Sequence, residues 1–185
     1  MINYKEFLLT PWGIIIIICC LLYLPQLAGI DVNSLGWKDN YAIRNGQWYR
    51  LITSIFLHGG IVHLVLNMAS LYNLAPLTTK LLGMFGQNGN TAFLTVFFVS
   101  GLMGSLASYY FSQSYSLGAS GAIFGLIGAL LAIGYLKQLP DLYQSILSVA
   151  AINLFIGFTI PNIDNYAHIG GLVGGFLVTC LLILF

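Results

Sequence analysis

Six apolar runs, broken only by short polar stretches and one longer one, dominate the 185-residue sequence: about Pro11–Leu27, Leu51–Leu77, Ala92–Tyr110, Ser120–Leu136, Leu142–Ile160 and Tyr166–Phe185. A lipid bilayer offers no water to backbone N–H and C=O groups, so a spanning segment must satisfy its own hydrogen bonds, and a helix does so within one run. Just 6% of the residues are charged, against about 25% in a soluble domain, too few to clothe a water-facing surface. The expected fold is therefore an all-α polytopic membrane protein: six transmembrane helices, one domain over residues 1–185, and a long interfacial first loop. The 21 glycines suit helices that approach closely.

The first run does not read as a cleaved leader. It is longer than the roughly 7–15-residue apolar core of a signal peptide and lacks a small-x-small end. Ile18 before Cys19 is too large for a lipoprotein-type cleavage site. Cys19, Cys20 and Cys180 all lie in apolar runs, with no disulfide or zinc spacing, and read as packing residues. Between Ile30 and Arg50 the chain turns polar and aromatic, with Trp37, Lys38, Tyr41, Arg44, Trp48, Tyr49 and Arg50, a mixture that suits the headgroup layer. The basic residues divide three against three between the two sides (Lys38, Arg44 and Arg50; Lys5, Lys80 and Lys137), so charge does not fix orientation. A cytoplasmic N-terminus in the cell (plasma) membrane is the working expectation. A net charge of +1 gives no basic face, and nucleic acid is not expected as a partner.

Polar residues inside a membrane are costly and face the bundle interior, so those in the apolar runs are the candidates for chemistry. Ser120 stands among small residues in Leu117–Gly128, at the head of an apolar run. That run ends at Lys137 and Pro140. Its length, roughly 25 Å, falls short of the roughly 30 Å hydrocarbon core, which sets Ser120 below the membrane surface, beside a water-accessible pocket. His63 and Asn67 are four apart and share one helical face. His168 shares a face with Gly171 and Gly175, and Gly121, Gly125 and Gly128 form a similar stripe. Two such stripes let two backbones approach and bring a histidine to a serine.

These pieces resemble the rhomboid intramembrane serine proteases over essentially the whole chain. The matching parts stand in the family's order: Tyr49-Arg50, His63-x-x-x-Asn67, Gly118-Ala119-Ser120-Gly121 and His168-x-x-Gly171-x-x-x-Gly175. The resemblance implies a compact rhomboid-like bundle in which Ser120 is the nucleophile and His168 its general base. Asn67, His63 and the Ser120 N–H would stabilise the oxyanion. It implies no cofactor and no metal, the lipid bilayer as surroundings, and transmembrane protein segments as substrates. Tyr49-Arg50 stands where the family commonly has Trp-Arg, and Phe124 where many members have a Tyr stacked on the histidine.

Other readings fit less well. Asp164, four residues before His168, reads as a helix cap rather than a third triad member. His58 and His63 are about 140° apart around a helix, with no carboxylate at ligand spacing. A soluble hydrolase elbow would need Gly at 122 and a preceding strand. A transporter would call for an inverted repeat or an intramembrane charge. A non-catalytic relative that binds transmembrane segments would have lost the serine or the histidine, and both are present. The sequence leaves oligomeric state, natural substrate and cleavage site open.

Overall fold

The computed structural model describes residues 4–185; Lys5, one of the residues weighed in the charge balance, lies outside the residues whose side chains are described. The described residues form ten α-helices: α1 (Tyr4–Leu9), α2 (Pro11–Leu27), α3 (Asn33–Gly36), α4 (Asn40–Arg44), α5 (Arg50–Thr53), α6 (Ile61–Met84), α7 (Gly89–Phe111), α8 (Ser120–Leu136), α9 (Pro140–Thr159) and α10 (Asn165–Leu184), with a 3₁₀ turn at Ser54–Phe56. Four of them, α6, α7, α9 and α10, are long and apolar enough to cross a membrane, while the apolar helices α2 and α8 have 17 residues each.

The starts of these helices follow from local chemistry. Thr10 accepts the Gly13 N–H at 3.0 Å just ahead of Pro11, so one orphan donor is satisfied and the first helical residue needs none. Asn88 does the same for Thr91 at 3.1 Å, and α7 begins earlier than its apolar run.

The second apolar run is not one helix. Leu51–Phe56 belongs to α5 and the 3₁₀ turn, Leu57–Gly60 is irregular, and α6 starts only at Ile61. Ile55 and Leu57 are nevertheless buried, so their apolarity reports core position rather than helix. The Gly59-Gly60 pair, poor in helix propensity, sits at the break. At its far end α6 runs through Pro76 to Met84, beyond the expected Leu77.

α8 is the centre of the bundle. Every residue from Gly121 to Gly134 is buried, and α6, α7, α9 and α10 all pack on it. A helix that is apolar on all sides is one enclosed on all sides. α10 lies close to both α8 and α7 because glycines remove the intervening side chains. A Cβ on Gly171 would be driven into the Gly121 carbonyl, one on Gly175 into the Gly125 carbonyl, and one on Gly104 would meet the Ala167 carbonyl oxygen at 2.7 Å. By contrast α9 buries only Ile146, Ala150 and Gly157 and leaves Phe155 and Phe158 exposed. The outer faces of α2, α6, α9 and α10 carry Leu21, Val62, Leu66, Phe155, Leu177 and Leu181 in the open, an apolar exterior suited to lipid.

Candidate active site

Ser120 is the first residue of α8, and the chain reaches it through Gly118 with φ at +123°. That backbone conformation favours glycine. Space requires glycine too, since a Cβ there would stand 2.7 Å from the His63 imidazole. The Gly118 N–H donates to the Ser54 carbonyl at 2.9 Å, which ties the approach to Ser120 to the 3₁₀ turn. No side chain caps α8, and the first regular bond at this end is Ile123 N–H to the Ala119 carbonyl. The N–H groups of Ser120, Gly121 and Ala122 therefore stand at a helix N-terminus, where negative charge is favoured.

His168, one turn into α10, lies with Nε2 3.0 Å from the Ser120 hydroxyl oxygen. The Phe124 ring stacks on the imidazole at 4.3 Å with 14° between planes. The aromatic shelf is thus present with Phe in place of Tyr. The Nδ1 atom of His168 is buried and has no hydrogen-bond partner among the described residues. Asp164 does not supply one, because its carboxylate is engaged elsewhere: one oxygen accepts the Ala167 N–H at 3.1 Å and the other accepts the Ser108 hydroxyl. It caps α10, and its carbonyl takes the His168 N–H at 3.2 Å.

His63 lies against Gly118, two residues before the serine. The Gly59 N–H points to its Nδ1 at 3.5 Å, the outer limit of a hydrogen bond. An acceptor at Nδ1 leaves the proton on Nε2, which becomes a donor. Asn67 is buried one turn further along α6. One Nδ2 hydrogen goes to the His63 carbonyl at 2.8 Å, and Oδ1 is buried without a partner. The second Nδ2 hydrogen stays free to donate. The structure thus brings Ser120 and His168 together, sets His63 against Gly118 two residues before the serine, and places Asn67 one turn from His63 on α6.

His58 is buried with its ring edge-on to His63 at 5.1 Å, and neither ring nitrogen has a hydrogen-bond partner among the described residues. Burial, helped by the neighbouring His63, pushes its pKa down from 6.5 to about 4, against a smaller opposing effect of the Phe56 backbone. Among the described residues no three His, Cys, Asp or Glu side chains gather in a way that could hold a metal.

Two cations expected in the headgroup layer face inward instead. Arg50 donates from Nε to Gln47 at 2.7 Å and from one terminal nitrogen to the Ser34 and Trp37 carbonyls at 3.0 and 3.1 Å. Lys38 is fully enclosed. Composition could not distinguish these from Arg44, which is exposed. The one side-chain cue near Lys38 was Asn40, two residues on, whose Oδ1 accepts from its ammonium; its other acceptors are main-chain oxygens, which carry no sequence signal.

Comparison with known proteins gives one consistent result. Residues 45–185 match the family model described as the rhomboid domain. The chain is 38% identical over 170 residues to the rhomboid protease GluP of Bacillus subtilis, covering 88% of this chain and 32% of that protein. It is 36% identical to the putative rhomboid protease YdcA of the same organism, over 78% of this chain and 75% of YdcA. It is 38% identical to the mitochondrial RHOMBOID-like protein 6 of Arabidopsis thaliana, over 83% of this chain and 49% of that protein. The chain thus spans about a third of GluP and three quarters of YdcA.

Proposed function

The chain belongs to the rhomboid family and is a multi-pass membrane protein, and within that family we propose that it is an intramembrane serine endopeptidase. On this reading α2 and α8 also cross the bilayer, making six spans in one domain, with the N-terminus cytoplasmic and the cell membrane as its site. Its substrates are transmembrane or membrane-edge segments of other proteins. The observation that carries the proposal is the 3.0 Å contact of His168 Nε2 with the Ser120 hydroxyl, a buried histidine and a half-buried serine among apolar helices, where neither has a packing purpose.

In the reaction Ser120 Oγ attacks the scissile carbonyl carbon while His168 Nε2 takes the hydroxyl proton, since a serine is a weak nucleophile until a base relieves it of that proton. The carbonyl oxygen becomes negative and is met by the Ser120 N–H at the uncapped start of α8, by His63 Nε2–H and by the free Asn67 Nδ2 hydrogen. Each such donor typically supplies about 2.7–4 kcal/mol in a water-poor site. The tetrahedral intermediate collapses, His168 returns the proton to the leaving amine, and an acyl ester remains on Ser120. Water, deprotonated by the same nitrogen, then releases the second product. Asp164 takes no part at the ring. The transient imidazolium is instead faced by the Phe124 ring, whose negative π-face favours a cation.

A helix hides its carbonyls in hydrogen bonds, so a cleavable segment needs Gly or Pro near the cut to open it. The sparse packing of α9, with Phe155 and Phe158 outward, supports entry from that side, and the interfacial loop is the other candidate for entry. A fluorophosphonate probe is expected to label the purified protein at Ser120, to leave Ser120→Ala unlabelled, and to label His168→Ala far more slowly. Equal labelling of His168→Ala would refute the dyad.

A further inference from the structure

We propose that Lys38 is a positioning residue for the nucleophile: its buried ammonium clamps the end of α7 and the segment 112–116 to the first loop, which fixes the path of the chain into Gly118 and Ser120. This rests on Ser120 being the nucleophile.

Lys38 is 0% exposed. Its Nζ donates to Asn40 Oδ1 at 3.0 Å and to the carbonyls of Ser108, Ser112 and Ser114 at 3.3, 3.2 and 2.7 Å. Three of the four acceptors are main-chain oxygens at and beyond the C-terminus of α7, the negative end of that helix. Asn40 reinforces the clamp, its amide donating to the Tyr109 and Ser112 carbonyls at 3.1 and 2.8 Å. The two segments also pair as a short antiparallel bridge: Lys38 N–H to Ser116 O at 2.8 Å, and Ser116 N–H to Lys38 O at 3.2 Å. Four residues after Ser116 comes Ser120. Ser108 extends the same arrangement to the base, because its carbonyl accepts from Lys38 while its hydroxyl donates to Asp164, the cap of the helix that carries His168. One ammonium therefore holds the approach to the nucleophile and bears on the helix of its base.

The surroundings make this clamp sensitive to loss of charge. Asp164 and Asp39 favour the ammonium, and burial outweighs them, so the pKa lies below the ordinary 10.5. Among the described residues, α7 and the 112–116 segment offer Nζ only the carbonyls of Ser108, Ser112 and Ser114 as hydrogen-bond acceptors, and Tyr115 stacks on Trp37 at 4.6 Å.

The test uses the full chain in detergent, with the fluorophosphonate labelling rate at Ser120, cleavage of a reporter transmembrane segment, and thermal melting. In Lys38→Met, which keeps the apolar stem, labelling and kcat are expected to fall at least tenfold with KM little changed. In the unmutated protein labelling is expected to fall reversibly as pH rises toward 10.5, an alkaline limb that Lys38→Met lacks. Wild-type rates in Lys38→Met, or the same alkaline limb in both proteins, would overturn the proposal. Should Lys38→Met not fold, the unmutated protein decides: undiminished labelling up to pH 10.5 refutes the clamp, and reversible loss supports it. No labelling of the unmutated protein at any pH would overturn the nucleophile assignment and this proposal with it.

Discussion

Replacing Gly171 by Ala tests the bundle geometry without touching a reacting atom. The added methyl would be driven into the Gly121 carbonyl oxygen and would stand 2.7 Å from its carbon and 3.1 Å from the Gly121 Cα. Ordinary contact begins near 3.4 Å, so α8 and α10 must separate locally by about 0.7 Å at the carbon and more at the oxygen. Neither side can yield by a rotamer change, since backbone stands on one side and a methyl on the other. Gly171 lies one turn from His168 and Gly121 adjoins Ser120, so the displacement falls on the 3.0 Å Nε2–Oγ contact. A hydrogen bond opened to about 4 Å no longer functions as one. General-base catalysis is worth roughly 10²–10⁴ in rate, so a loss of at least about 10² is expected in cleavage of a reporter segment and in labelling of Ser120. Overpacking of this kind costs about 1–3 kcal/mol of stability, readable as a lower melting temperature in detergent. Gly83→Ala, near the far end of α6, is the control, because its Cβ position meets nothing closer than 3.9 Å. Wild-type labelling by Gly171→Ala would refute the reasoning, because it would mean that the glycine contact does not set the distance between base and nucleophile.

Asp164→Asn is expected to keep activity within severalfold of the unmutated protein, because Asn caps a helix about as well as Asp and the carboxylate makes no bond to the His168 ring; complete loss in a folded protein would show that its charge acts in the reaction. His58 should make stability fall with acid. Its folded-state pKa of about 4 lies below the unfolded value near 6.5, so between the two the unfolded chain binds a proton that the folded chain does not, and stability declines as pH drops from 6.5 toward 4. At pH 5 the decline amounts to about 2 kcal/mol. Melting temperatures between pH 8 and pH 5 should fall less steeply in His58→Leu, and equal slopes would refute the assignment.

Which residues gather at the candidate site was legible because polar groups stand out in apolar runs. Ser120, His63, Asn67 and His168 each interrupt an apolar run, and the glycine stripes told which helices come together. The glycines of α8 and α10 do meet, and the placement of His63 beside Gly118 extends the same logic. What escaped the sequence had two physical causes. Apolarity is blind to backbone, so the buried segment Leu51–Gly60 looked like the start of a helix although it is a short helix, a 3₁₀ turn and an irregular stretch. Charge is equally blind to its acceptors. Lys38 and Arg50 looked like headgroup residues because their main partners are backbone carbonyls, which every residue carries and no composition reveals.

That dependence on carbonyls has a consequence for how the protein can change. A cation held by carboxylates ties its site to particular side chains, and the loss of one leaves a charge uncompensated. Lys38 instead reads the path of the chain around 108–114, and that path can be drawn by many sequences. The loop before the serine is therefore free to vary in its outward residues, and with them in whatever passes over it, while the geometry it delivers to Ser120 stays constant.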